Sequence, residues 1–125
     1  ADRLAYRQND PQRGDVIIFH FPLDPEQDLI KRVIGLPGET IEVQDGIVTV
    51  NDTPLEESYI TESPSYNGMW VVPEGQYFVL GDNRNDSRDS HQWGFLPREN
   101  IVAKAVWIYL PLDDFGKIDE SDFQP

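Results

Sequence analysis

The stretch TIEVQDGIVTVND, residues 40–52, decides the fold class. Apolar and polar residues alternate on both sides of Asp45-Gly46, and an alternation of two is the period of a half-buried strand. Asp-Gly is the pair that a type I′ turn favours, because both central positions need a positive φ. The stretch therefore predicts a tight β-hairpin.

The same pattern continues in both directions. Upstream, LIKRVIGL (residues 29–36) reads as a strand closed by Pro37-Gly38. PLDPEQD (22–28), with two prolines, reads as a loop, and DVIIFHF (15–21) as a β-branched and aromatic strand. The polar start ends in the turn signal Asp10-Pro11. Downstream, residues 53–73 hold three prolines and several serines, which predicts an irregular excursion with one short strand. GQYFVLGD (75–82) returns to strand, the polar residues 81–91 form a loop, and NIVAKAVWIYLP (100–111) is the last long strand. The capping signal at Ser58 and Thr61 leads into no helical periodicity, no amphipathic helix of three turns is visible, and there is no internal repeat. The expected class is all-β, a coiled or barrel-like sheet with proline and glycine corners.

The chain has 125 residues, one ordinary domain in length. Its 10 Lys+Arg against 23 Asp+Glu give a net charge of -13, which argues against a nucleic-acid partner. It has no cysteine, so neither a disulfide framework nor a thiolate metal site is expected. No run approaches the roughly 20 apolar residues of a membrane span, and the first residues lack a signal-peptide core. The abrupt start suggests a piece of a longer protein.

Within the strand at 29–36, Lys31 and Arg32 stand side by side. Lys31 shares a face with Leu29 and Val33, and Arg32 shares the other with Ile30 and Ile34. Both faces are apolar, yet the two cations respond differently. Arginine keeps its proton and needs an acidic partner or water. Lysine can lose its proton, and burial pushes it that way. A neutral lysine is a general base able to activate a hydroxyl. A lysine whose stem lies along an edge strand with its head in water is the common alternative.

The loop GDNRNDSRDSH (81–91) is nearly all Asp, Asn, Arg and Ser. It is able to brace itself through side-chain-to-backbone bonds. Calcium at Asp82, Asp86 and Asp89 lacks the EF-hand spacing and glycine. A third reading has one serine hydroxyl orienting the lysine.

RGDVIIF (13–19), DLIKRVIGLPGE (28–39) and GDNRNDSRDS (81–90), in that order, resemble three boxes of the type I signal peptidases, membrane-anchored Ser-Lys endopeptidases. The resemblance covers about residues 2–110. It implies a coiled β fold shared with self-cleaving repressor proteases, over a catalytic domain at about 1–112. A variable excursion at about 53–75 and an acidic tail at 113–125 accompany it. It implies Lys31 as general base, Ser87 as the hydroxyl that orients it, and Asp82, Asn83, Arg84, Asp89 and Ser90 as the brace of the site. Ile18, Asp28, Leu29 and Ile30 fall where the family builds its substrate wall and edge strand. The implied substrates are preproteins with small residues at the first and third positions before the cut, bound as an added β-strand. The implied location is the outer face of a plasma or thylakoid membrane, reached through an N-terminal anchor outside this chain. No metal and no cofactor is implied.

Two departures stand out. His91 occupies a position that is usually arginine, which makes the pairing with Asp89 weaker or pH-dependent. The family's nucleophile box, S-M-x-P-T, has no counterpart, and residues 1–30 contain no serine, threonine or cysteine. Nothing marks Ser58, Ser63 or Ser65 as activated. At least half of the oxyanion hole is expected to be missing with that box, so the chain by itself is expected to be inactive. The alternatives are a non-catalytic β domain that binds extended peptides and, less favoured, a self-cleaving repressor-type protease.

Overall fold

The computed structural model describes residues 10–58, 60, 62–85 and 87–105, in which strands dominate. β1 (Val16–Phe21) and β2 (Asp24–Gly35) form an antiparallel pair with Ile17 opposite Lys31 and Phe19 opposite Leu29. The segment 22–28 is not the loop that its prolines suggest. A two-residue turn at 22–23 leads straight into β2. The register explains how Pro25 fits. His20 faces Asp28 but Phe21 faces Asp24, so residues 25–27 bulge out of the ladder, where a missing N–H does no harm.

β2 ends in a turn in which the Glu39 amide donates to the Leu36 carbonyl at 3.1 Å. Pro37 and Gly38, the latter at φ 84°, are the residues that such a turn needs. β3 (Thr40–Gln44) and β4 (Ile47–Val50) then form the hairpin in register, Gln44 opposite Ile47. Asp45 and Gly46 take φ 52° and 82°, the left-handed conformations expected of a type I′ turn.

The excursion holds two short strands rather than one. β5 (Thr53–Pro54) pairs with β4, and β6 (Gly68–Val71) pairs with the other edge of β3. β7 (Gln76–Leu80) lies along β2, and β8 (Leu96–Pro97) along β7. β9 (Ile101–Lys104) pairs with β1. A single helical turn, α1 (Ser90–Trp93), connects the polar loop to β8. The result is a five-stranded sheet, β8-β7-β2-β1-β9, and a four-stranded sheet, β5-β4-β3-β6. The last strand opens near the expected place. Its continuation past 105, the tail at 113–125 and residues 1–9 lie outside the described residues.

Alternation along β2 and β7 divides the apolar side chains into two clusters. Leu29, Val33, Tyr77 and Val79 join Ile17, Phe19, Leu96 and Ile101 on one side. Ile34, Phe78 and Leu80 join Ile41, Val43, Val48, Val50 and Val72 between the sheets. Gly35 leaves no room for a side chain between β2, β3 and β7. A Cβ there would lie 2.8 Å from the Ile41 side chain and 3.0 Å from Phe78 Cβ. Gly35→Ala is expected to lower stability by about 1–3 kcal/mol through overpacking. It should appear as a lower denaturant midpoint at an unchanged m value, and an unchanged midpoint would mean that Ile41 swings aside freely.

Candidate active site

β2 carries both cations, and its central place in the sheet explains the burial of Lys31 and the partial burial of Arg32. Lys31 is 0% exposed. Its register partner is Ile17, and Leu29 and Val33 precede and follow it on the same face. Lysine is almost never this deeply buried. Full burial is the setting in which a lysine can serve as a general base. The stem-on-the-sheet alternative does not describe this residue.

Arg32 points to the opposite face and finds its acid in the polar loop. Nε and Nη2 donate to the two carboxylate oxygens of Asp82 at 3.0 and 2.9 Å, and Nη1 donates to the Gly14 carbonyl at 2.9 Å. This planar, two-pronged contact suits a guanidinium and not an ammonium. It fastens the head of the loop to the residue next to Lys31.

The rest of the loop is braced residue by residue. Arg84 is fully buried. Its Nε donates to the Gly81 carbonyl at 2.7 Å, and its two terminal nitrogens reach Glu57 at 2.9 and 2.5 Å. Asp89 caps α1 by accepting from the His91 amide, and its other oxygen accepts from the Gly81 amide at 2.9 Å. Ser90 Oγ accepts from the Val79 amide at 2.9 Å, which ties the loop to β7. Asn83 bridges to Glu62 through the backbone. His91 Nδ1 hydrogen-bonds Asp89, so the histidine does take up the pairing where arginine was expected. Ser87 is buried, and its Oγ makes no hydrogen bond to any described residue, Lys31 included.

The four expected wall residues separate into different settings. Ile18 and Ile30 are register partners on the Arg32 face. Leu29 is fully buried beside Lys31 in the cluster on the other face. Asp28 is exposed and meets His20 Nδ1 at 2.6 Å. Asp86 lies outside the described residues, while Asp82 and Asp89 are engaged as above. Among the described residues no group of His, Cys, Asp or Glu is arranged to hold a metal ion. No described helix is long and apolar enough to cross a membrane.

Sequence reasoning missed Glu57 and Tyr66. Both lie in the excursion that its prolines made look irregular. Glu57 pairs with a residue 27 positions away, and no local pattern marks it. Tyr66 stacks on His91 with centroids 3.9 Å apart and planes 6° from parallel.

The family model "Signal peptidase, peptidase S26" matches residues 1–110. The chain belongs to that family. It is 47% identical to "Probable signal peptidase I-1" of Synechocystis sp., over all of this chain and 68% of the relative. It is 45% identical to "Signal peptidase I" of Leptolyngbya laminosa, over 94% of this chain and 62% of the relative. It is 40% identical to "Thylakoidal processing peptidase 1, chloroplastic" of Arabidopsis thaliana, over 89% of this chain and 36% of the relative. The crystal structure of a signal peptidase I from Enterococcus faecalis superposes with a TM-score of 0.69 at 36% identity. That match covers 76% of this chain and 97% of the other. The second and third of these relatives are well over a third longer than the part this chain spans.

Proposed function

We propose that this chain is the base-carrying part of a signal peptidase that removes signal peptides from exported preproteins by Ser-Lys hydrolysis. The observation that carries the proposal is Lys31, fully buried among aliphatic side chains on a strand fastened to the polar loop. In this reading a serine hydroxyl attacks the scissile carbonyl, and the Lys31 amine takes its proton and later delivers it to the leaving amine. Ser87 is read as the hydroxyl that holds the amine in line when substrate is bound, and its Oγ, without a hydrogen-bond partner among the described residues, is available for that role.

No serine of the chain is assigned as nucleophile. Ser58, Ser63 and Ser65 are exposed, Ser87 and Ser90 belong to the braced loop, and Ser121 lies outside the described residues. The attacking serine is placed in the longer protein, together with a membrane anchor that holds the site at the outer face of a plasma or thylakoid membrane. Ile18 and Ile30, paired across β1 and β2, are proposed as wall for the substrate's small side chains.

The test is processing of a preprotein by the full-length protein. Cleavage after Ala-x-Ala is expected, and replacement of either alanine by a bulky residue is expected to block it. Residues 1–125 alone are expected to give no product. Cleavage that ignores both alanines, or product from the 125-residue chain alone, would defeat the reading.

A further inference from the structure

We propose that Tyr66 is a positioning residue, which sets the plane of His91 and through it the form of the loop that carries Ser87. The proposal rests on the reading of Ser87 as the hydroxyl that holds Lys31.

The two ends of the loop meet at Asp89. One carboxylate oxygen accepts from the Gly81 amide at 2.9 Å, and the other accepts from the amide and Nδ1 of His91. Ser87 lies between those ends. Asp89 is therefore a clasp, and His91 is half of it. A carboxylate only accepts, so Nδ1 must carry the proton for this bond to exist. An imidazole turns about a broad, two-fold torsion. A turn out of its present plane would carry Nδ1 away from the Asp89 carboxylate. The Tyr66 ring, lying flat on the imidazole at 3.9 Å, leaves it one plane.

The phenol oxygen adds no bond to this. Tyr66 Oη is buried and has no hydrogen-bond partner among the described residues. Burial, and then the negative charge of Asp89, push the phenol well above its ordinary range, so it stays neutral. An unmet hydroxyl is unfavourable, and the ring is held there regardless. The contribution of Tyr66 is its face. The segment around it is tied to the same loop independently. Asn85 Nδ2 donates to Glu62 at 2.6 Å and to the Ser63 carbonyl at 2.9 Å, and the Ser65 amide donates to Asn85 Oδ1 at 2.7 Å. Removing the ring thus leaves the segment attached.

The experiment compares Tyr66→Leu and Tyr66→Phe in the full-length protein, with Lys31→Arg alongside. Tyr66→Leu is expected to lower kcat about tenfold or more, the scale of a displaced positioning group, with KM little changed. Tyr66→Phe keeps the ring and is expected to restore kcat to the parent value. The neutral imidazole of His91, read by nitrogen NMR in the parent and the Phe variant, is expected to carry its proton on Nδ1. If the Leu variant does not fold, Tyr66→Met, which also removes the ring face, takes its place with the same expected fall in kcat. A folded Tyr66→Leu with parental kcat, a Phe variant as impaired as Leu, or a proton on Nε2 in the parent would each overturn the inference. If Lys31→Arg stays active, the base assignment falls and takes this inference with it. If Lys31→Arg is dead while folded Tyr66→Leu keeps full kcat, the role of Tyr66 alone falls.

Discussion

Lys31→Arg in the full-length protein is expected to reduce preprotein cleavage by about 10⁴-fold, the scale seen when a member of a catalytic set is removed. The substitution keeps most of the stem and puts a permanently charged group where a base must be able to stand neutral. It removes only the ability to give up a proton, since guanidinium stays charged in proteins. A structural cation would tolerate the change far better than a base. Arginine is also larger, and Lys31 has no spare exposure, so a second variant separates crowding from chemistry. Lys31→Met is close in shape and neutral. It is expected to fold and melt cooperatively, and to be as inactive as Lys31→Arg. Cleavage at the parental rate by either folded variant would remove Lys31 from the reaction.

Glu57→Ala is expected to be the most damaging change to stability away from that strand. Arg84 is fully buried and spends both terminal nitrogens on Glu57. Taking away the carboxylate leaves a buried charge without its anion, which costs about 3–5 kcal/mol. For a domain of this size that corresponds to a fall in Tm of about 10–20 °C. The double variant Glu57→Ala with Arg84→Met removes the stranded charge and is expected to recover much of the loss. A single variant that costs less than about 1 kcal/mol would show that the pair does not hold the excursion against the loop.

The strands were legible because their signals are local. Asp45-Gly46 between alternating flanks leads to one structure, and the structure has it. The segment 22–28 is not legible as a strand because Pro22 and Pro25 signal a loop, whereas a bulge lets the strand pass around Pro25. For the site, the apolar rows beside Lys31 and Arg32 foretold burial of one and pairing of the other. Which acid would meet Arg32 was not legible, because Asp82 lies 50 residues away. Glu57 and Tyr66 were invisible for the same reason. Their roles come from a chain path that returns to the polar loop, and no period or motif in residues 53–75 announces that return.

The two parts of the proposed pair are held by different kinds of structure. Lys31 sits on β2, which is flanked by β1 and β7 and lines both apolar clusters. Ser87 sits on a loop secured by side chains, Asp82 to Arg32, Glu57 to Arg84 and Asp89 to Gly81. Segments of these two kinds open to solvent at different free energies, and amide hydrogen exchange distinguishes them. The lysine strand opens only with the sheet, while the serine loop opens when a few polar contacts part. A partly opened form, with the sheets intact and the serine loop released from the lysine strand, is therefore expected. On heating, function should fade while the fold is still whole.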